Sequence, residues 1–118
     1  MDSNELKERV KEFAHRCVKL ATALPDTPLG RQIKVQLIRC SSSAAANYRA
    51  ACIAQSKASF IAKMSIVAEE TDESCSWLQF IVDEKLMTVK QIESLLEEGE
   101  ELTRIFLSSR MTARKRNH

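Results

Sequence analysis

Apolar residues recur near the start of the chain at Leu6, Val10, Phe13, Cys17, Leu20 and Leu24, in alternating steps of four and three. That spacing lines one face of an α-helix, and Ser3 is placed to cap it, with acidic Glu5 in the first turn. Pro25-Asp26-Thr27-Pro28 ends the pattern, because neither proline fits a helix interior. A second stripe, Ile33, Leu37, Cys40, Ala44, Asn47 or Tyr48, and Ala51, predicts a helix from near Thr27 to about Gln55, with Pro28 in its first position. Ser56 and Ser59 mark the next break through capping residues alone. A third helix is expected from about Ser59 to Glu84, on Phe60, Met64, Val67, Thr71, Cys75, Leu78 and Val82. Thr88-x-x-Gln91 reads as a capping box opening a fourth helix on Ile92, Leu95, Gly99, Leu102 and Phe106, to about Arg110. Gly99 weakens that helix and marks a position of close approach.

Four helices with short connections predict an all-α fold, an antiparallel up-down four-helix bundle, as a rod of roughly 30–40 Å at 1.5 Å per residue. The bundle is expected over residues 1–110, with residues 111–118 as a basic C-terminal tail. Two glycines and two prolines in 118 residues are too few for a loop-rich or all-β domain. The stretch Gln36 to Phe60 contains neither, nor any acidic residue, and its centre, Ser41 to Ala46, is a run of small side chains. Such a run suggests backbones brought close together.

Two helices carry more apolar surface than one core stripe requires. On the second, Val35, Ile38, Ala45, Ala46 and Ile53 lie broadly opposite the main stripe; on the third, Ile66, Trp77 and Phe80 sit off it. A wide core interface with a few exposed apolar residues would account for this. A homo-oligomer with Val35, Ile38, Ala46, Ile53, Ile66, Trp77 and Phe80 at the subunit contact accounts for it too.

The formal net charge of +2 conceals strong segregation. Residues 1–63 carry 11 basic and 5 acidic side chains, residues 64–103 carry 2 basic and 11 acidic, and residues 104–118 carry 5 basic and none acidic. Between Thr27 and Ala68 stand Arg31, Lys34, Arg39, Arg49, Lys57 and Lys63 without a carboxylate among them. Basic faces repeated by symmetry would attract nucleic acid. Pairing of those groups with the acidic helices is the competing reading.

Catalytic and metal chemistry find little support. Glu69, Glu70, Asp72 and Glu73 suggest a di-iron bundle, but such a site needs two Glu-x-x-His pairs. Glu12-x-x-His15 stands alone, and the other histidine is His118. Ser41–Ser43 has no nucleophile-elbow glycines, and Gly30 and Gly99, the sole glycines, form no phosphate loop. Tyr48, beside Asn47 and Arg49, could meet a base or a phosphate, or simply pack. Cys17, Cys40, Cys52 and Cys75 contain no C-x-x-C pair and read as reduced, largely buried residues. No cofactor, metal or enzyme activity is expected. The charged N-terminus lacks a secretory h-region and no apolar run would span a membrane, so a cytoplasmic protein without a membrane partner is expected.

The pattern Q-L-x-R-x-x-x-S-x-x-x-N, at Gln36, Leu37, Arg39, Ser43 and Asn47, is followed by Phe60, Glu69 or Glu70, Glu73, Ser74 and Trp77-Leu78. In this order the motifs resemble those of the bacterial four-helix-bundle proteins named for reading frames in intervening sequences of 23S ribosomal RNA genes, the S23 type. After the asparagine, many members read N-I-A-E-G, whereas this chain has Asn47-Tyr48-Arg49-Ala50-Ala51. The resemblance covers nearly the whole chain and implies four antiparallel helices in a ring-shaped homopentamer. It also implies kinship with the accessory variability proteins of diversity-generating retroelements, which bind nucleic acid and a reverse transcriptase. The expectation is therefore a non-enzymatic homo-oligomer binding RNA or DNA with little sequence preference. Its phosphate contacts would come from Arg31, Lys34, Arg39, Arg49, Arg114, Lys115 and Arg116. The alternative is an interaction scaffold whose acidic helices dock a basic partner protein.

Overall fold

The computed structural model describes residues 1–116, so Asn117 and His118 lie outside the described residues. Four helices follow one another as α1 (Ser3–Thr22), α2 (Pro28–Cys52), α3 (Lys57–Asp83) and α4 (Val89–Lys115). Each packs against its neighbour in sequence, and α1 meets α4 to close the bundle. The starts of α1 and α3 therefore lie at the same end as the last turns of α2 and α4.

The caps explain where each helix begins. Asp2, one residue before the expected cap, accepts the Glu5 N–H at 2.8 Å. Thr27 accepts from Gly30 N–H at 3.0 Å, with Pro28 in the first turn as expected. Ser56 rather than Ser59 caps α3, because its hydroxyl accepts from Ser59 N–H at 3.0 Å. Thr88 and Gln91 form both halves of the expected capping box. α2 stops at Cys52, short of Gln55, and α4 continues past Arg110 through Lys115. The molecule is accordingly 52 Å long, more than the sequence estimate, and only 21 × 20 Å across. Residues 111–115, expected in a basic tail, extend α4.

The core follows the stripes closely. Leu6, Val10, Phe13, Cys17, Ile33, Leu37, Cys40, Ala44, Met64, Val67, Leu78, Ile92, Leu95, Leu102 and Phe106 are all buried. At the ambiguous position of α2 it is Tyr48 that is buried, its ring 5.3 Å from that of Phe106, whereas Asn47 donates back to Ser43. Near the end of α3 Ile81 fills the core and Val82 only abuts it, one position from the expected stripe. This is the drift of a 3.6-residue helix against steps of three and four.

Gly99 is a contact position. A Cβ there would lie 2.6 Å from Cys75 Sγ and 2.9 Å from the Phe13 ring, so the missing side chain lets α1 and α3 reach α4. The buried hydroxyls are satisfied within their own helices: Thr71 donates to Val67 O and Ser74 to Glu70 O, at 2.7 and 2.9 Å. All four cysteines are free thiols, and all but Cys52 are buried. Burial pushes the Cys75 thiol up to about 12 and raises those of Cys17 and Cys40, so these sulfurs stay neutral at pH 7. Among the described residues, no helix is long and apolar enough to cross a membrane.

Candidate functional site

The basic residues singled out in the sequence go to different places. Arg31 sits at the start of α2, where its guanidinium holds Asp26 of the preceding turn at 2.7 Å. Lys34 lies one turn further along the same helix, partly buried. Arg39 reaches across to α3, donating to Glu70 at 3.0 Å and to Glu73 at 2.5 Å, while its Nε donates to Gln36. For Arg39, pairing with the acidic helices is the observed arrangement. Arg49 is exposed in the last turn of α2, and Arg114, Lys115 and Arg116 are exposed at the end of α4.

The antiparallel topology thus brings Arg49, from the middle of the sequence, to the same end of the bundle as the C-terminal basic residues. Arg104 and Arg116 line an open cleft of about 950 Å³ at this end, over a floor that includes Leu6, Tyr48, Phe60 and Ile105. Lys57 donates to the Arg116 carbonyl. Two carboxylates on the cleft are already engaged: Asp2 caps α1, and Glu101 pairs with Arg9 at 2.7 Å. Among the described residues, Arg49, Arg104, Arg114, Lys115 and Arg116 have no carboxylate within 4 Å.

Sequence reasoning missed four of the basic residues that matter here, Arg104 on the cleft and three on α1. Lys7 and Lys11, one turn apart on α1, lie beside Arg49 around a smaller groove. Arg9, on another flank of α1, clamps Glu98 through two bonds at 2.7 and 3.0 Å and so fastens α1 to α4. The four-residue interval between Lys7 and Lys11 was visible in the sequence, but nothing there said that Arg49 would stand across from them.

The apolar residues assigned to a subunit contact divide by exposure. Val35 and Ile53 are 62% and 75% exposed, Ile66 and Phe80 are each 38% exposed, and Ala46 is also exposed. Ile38 and Trp77 pack partly against the core. Ile66, Glu70, Glu73 and Trp77 recur at steps of three and four along one flank of α3. The Arg39 network lies in the midst of this surface. Trp77 Nε1 donates to Glu73 at 3.0 Å, and its ring stands edge-on to Phe80 with centroids 5.8 Å apart.

The Arg39 guanidinium, with help from Trp77 N–H, holds the Glu73 carboxyl below the usual carboxylate range. A folded-state value below the unfolded one, about 4.3, means stability that is complete above pH 4.3 and lost as pH falls through the folded value. Both side chains are more than a third exposed, so solvent screening limits the contribution to about 1 kcal/mol or less. The unfolding midpoints of the wild type and Glu73→Gln should therefore differ near neutral pH and converge in acid, with Trp77 fluorescence as the local reporter. Parallel curves would show that Glu73 contributes nothing through its charge.

Among the described residues, the side chains considered for catalysis are engaged within their own helix or exposed. Ser41 and Ser42 donate to backbone carbonyls of their own helix. Glu12 and His15 are both exposed on α1. Among the described residues, no group of three or more His, Cys, Asp or Glu side chains is placed to hold a metal ion.

Comparison with known proteins agrees with the fold. The chain is similar to a crystal structure of a Bacteroides thetaiotaomicron protein of unknown function from the S23 ribosomal protein family. The two are 31% identical, with a TM-score of 0.83, over 94% of this chain and 99% of that one. None of the curated proteins compared with the chain matches it. The family model described as 23S rRNA-intervening sequence protein matches residues 2–108, so nearly the whole bundle is covered and the chain belongs to that family.

Proposed function

We propose that this chain is a non-catalytic helical bundle that binds nucleic acid through phosphate contacts and works as an assembly of its own copies. The observation that carries the reading is the gathering of Arg49, Arg104, Arg114, Lys115 and Arg116 at one end without carboxylate partners among the described residues. Unneutralised cations drawn from distant segments provide counterion-releasing phosphate contacts but no pattern for reading base edges. Binding is therefore tolerant of sequence, for RNA or DNA. Lys34 adds positive charge at the opposite end, where Arg31 is paired with Asp26. Arg39 can reach a phosphate only by leaving Glu70 and Glu73.

Self-association is supported by the exposed Val35, Ile53, Ile66 and Phe80, too many large apolar side chains in water on two adjacent helices of a small domain. Five copies in a ring is the assembly that the sequence resemblance implies. The acidic faces of α3 and α4 support the second reading, a scaffold for a basic protein partner: Glu69, Asp72, Glu93, Glu97 and Glu100 are exposed and without an ion pair among the described residues.

Fluorescence anisotropy with labelled RNA and DNA separates the two readings. Affinity should fall steeply between 50 and 200 mM salt, by roughly 1,000-fold or more if six phosphates are contacted. Arg114→Gln/Lys115→Gln/Arg116→Gln should weaken binding to all sequences alike. Absence of binding at low salt would overturn the nucleic-acid reading, and a monomer in sedimentation at micromolar concentration would overturn the assembly.

A further inference from the structure

The seam between the first half of α1 and the last turns of α2 is not filled. On the flank of α2 that turns toward α1, Ile38 packs partly against the core, and seven residues later, within about 20° on the helix, Ala45 takes its place. Where the larger side chain gives way, a groove of about 450 Å³ opens, lined by Ala45 and Ala46 of α2. Its other lining residues are Lys7, Glu8 and Lys11 of α1, and Arg49 of α2. Three cations from two helices thus stand around a groove walled partly by alanine, with a single carboxylate among them. None of the three has a carboxylate within 4 Å among the described residues, Glu8 included. Like charges converging from two helices repel, and burying nothing large between them forgoes apolar contact as well. An anion in the groove removes the repulsion.

We infer that the α1–α2 groove is a phosphate-binding channel in which Lys7, Lys11 and Arg49 grip the backbone of a phosphodiester strand. The inference rests on the proposed nucleic-acid binding and gives it a location. Alanine suits the floor because it lets a backbone approach the helix, and one turn between Lys7 and Lys11 puts the two ammonium groups along the groove rather than across it. Arg49 closes the other side with a planar fork able to bind one phosphate through two hydrogen bonds. Ala46, considered for the subunit contact, has its role in this channel instead.

The test uses the full chain, a labelled 20-nucleotide single-stranded RNA, and the variant Lys7→Gln/Lys11→Gln/Arg49→Gln. Loss of three contacts, each releasing about 0.7 counterion, should weaken binding roughly 100-fold at 0.1 M salt and reduce the slope of log affinity against log salt by about 2. Circular dichroism should be unchanged, since the three side chains support no ion pair. If the wild type binds RNA and the variant keeps the same affinity and slope, the channel is overturned while nucleic-acid binding stands. If the wild type binds neither RNA nor DNA, inorganic polyphosphate is the deciding probe. Polyphosphate binding lost in the variant would uphold the phosphate channel and remove the nucleic acid; no binding of either would overturn both.

Discussion

Replacing Phe106 by alanine is expected to lower the free energy of unfolding by about 3–5 kcal/mol, the cost of deleting a fully buried phenyl ring that its surroundings cannot replace. Phe106 has no exposed surface, and it ties the lower half of α4 to Tyr48 of α2 through rings 5.3 Å apart. Tyr48 also lines the end cleft, with Leu6, Phe60 and Ile105, so losing its ring partner loosens part of the cleft floor. A domain with a total stability of about 5–15 kcal/mol would lose a large share of it. Urea unfolding followed by circular dichroism measures the change. A loss below about 1 kcal/mol would mean that the neighbouring helices close over the cavity, which the usual cost of such truncations argues against.

Gly30→Ala should destabilise by about 2–4 kcal/mol, combining overpacking with a broken helix cap. In a free helix interior the same change would stabilise by about 1 kcal/mol, so the sign is diagnostic. The reason is space, not backbone conformation. A Cβ on Gly30 would lie 2.0 Å from the Pro25 carbonyl oxygen and 3.1 Å from Thr27 Oγ1. That carbonyl accepts Thr27 N–H at 2.9 Å, and Thr27 Oγ1 accepts Gly30 N–H at 3.0 Å, so the clash falls on the bonds that start α2. Backbone cannot rotate aside as a side chain can; the α1–α2 turn would have to open. An unchanged or higher unfolding midpoint would show that the turn opens without cost.

Gly30 also illustrates what could be read in advance and what could not. The proline pair announced the turn and Pro28 the first position of α2, because both follow from the geometry of a single residue. The contact between Gly30 and Pro25 depends on the path of the whole turn. Gly99 is the opposite case: its place inside an apolar stripe already pointed to a close approach, and the Phe13 ring and Cys75 supply it.

The charged residues mark the limit more sharply. Segregation of charge along the chain was plain, but Arg39 and Arg49, ten residues apart and similar in sequence setting, have different surroundings. Arg39 turns toward α3 and meets two carboxylates; Arg49 turns toward α1 and meets two lysines around the groove. Ten residues are about 1,000° of helix, or roughly 80° short of whole turns, enough to send the two side chains to different neighbours. Periodicity reports the angle at which a side chain leaves its own helix. It carries no information on what the adjacent helix presents at that height.

By itself, therefore, the sequence determined the four helices, most of their boundaries through caps and prolines, and nearly all of the buried stripes. These depend on local backbone chemistry and on a repeat contained within each helix. Periodicity also put Ala44 on the core stripe of the small-residue run and Ala45 and Ala46 opposite it; only the tertiary structure decided that Ser41 joins Ala44 in the core and that Ala45 and Ala46 line a basic groove. It also decided which arginines are spent on neighbouring carboxylates and which converge without them. Those outcomes depend on the register between antiparallel helices, which is set by the packing of the whole core and not by any one segment.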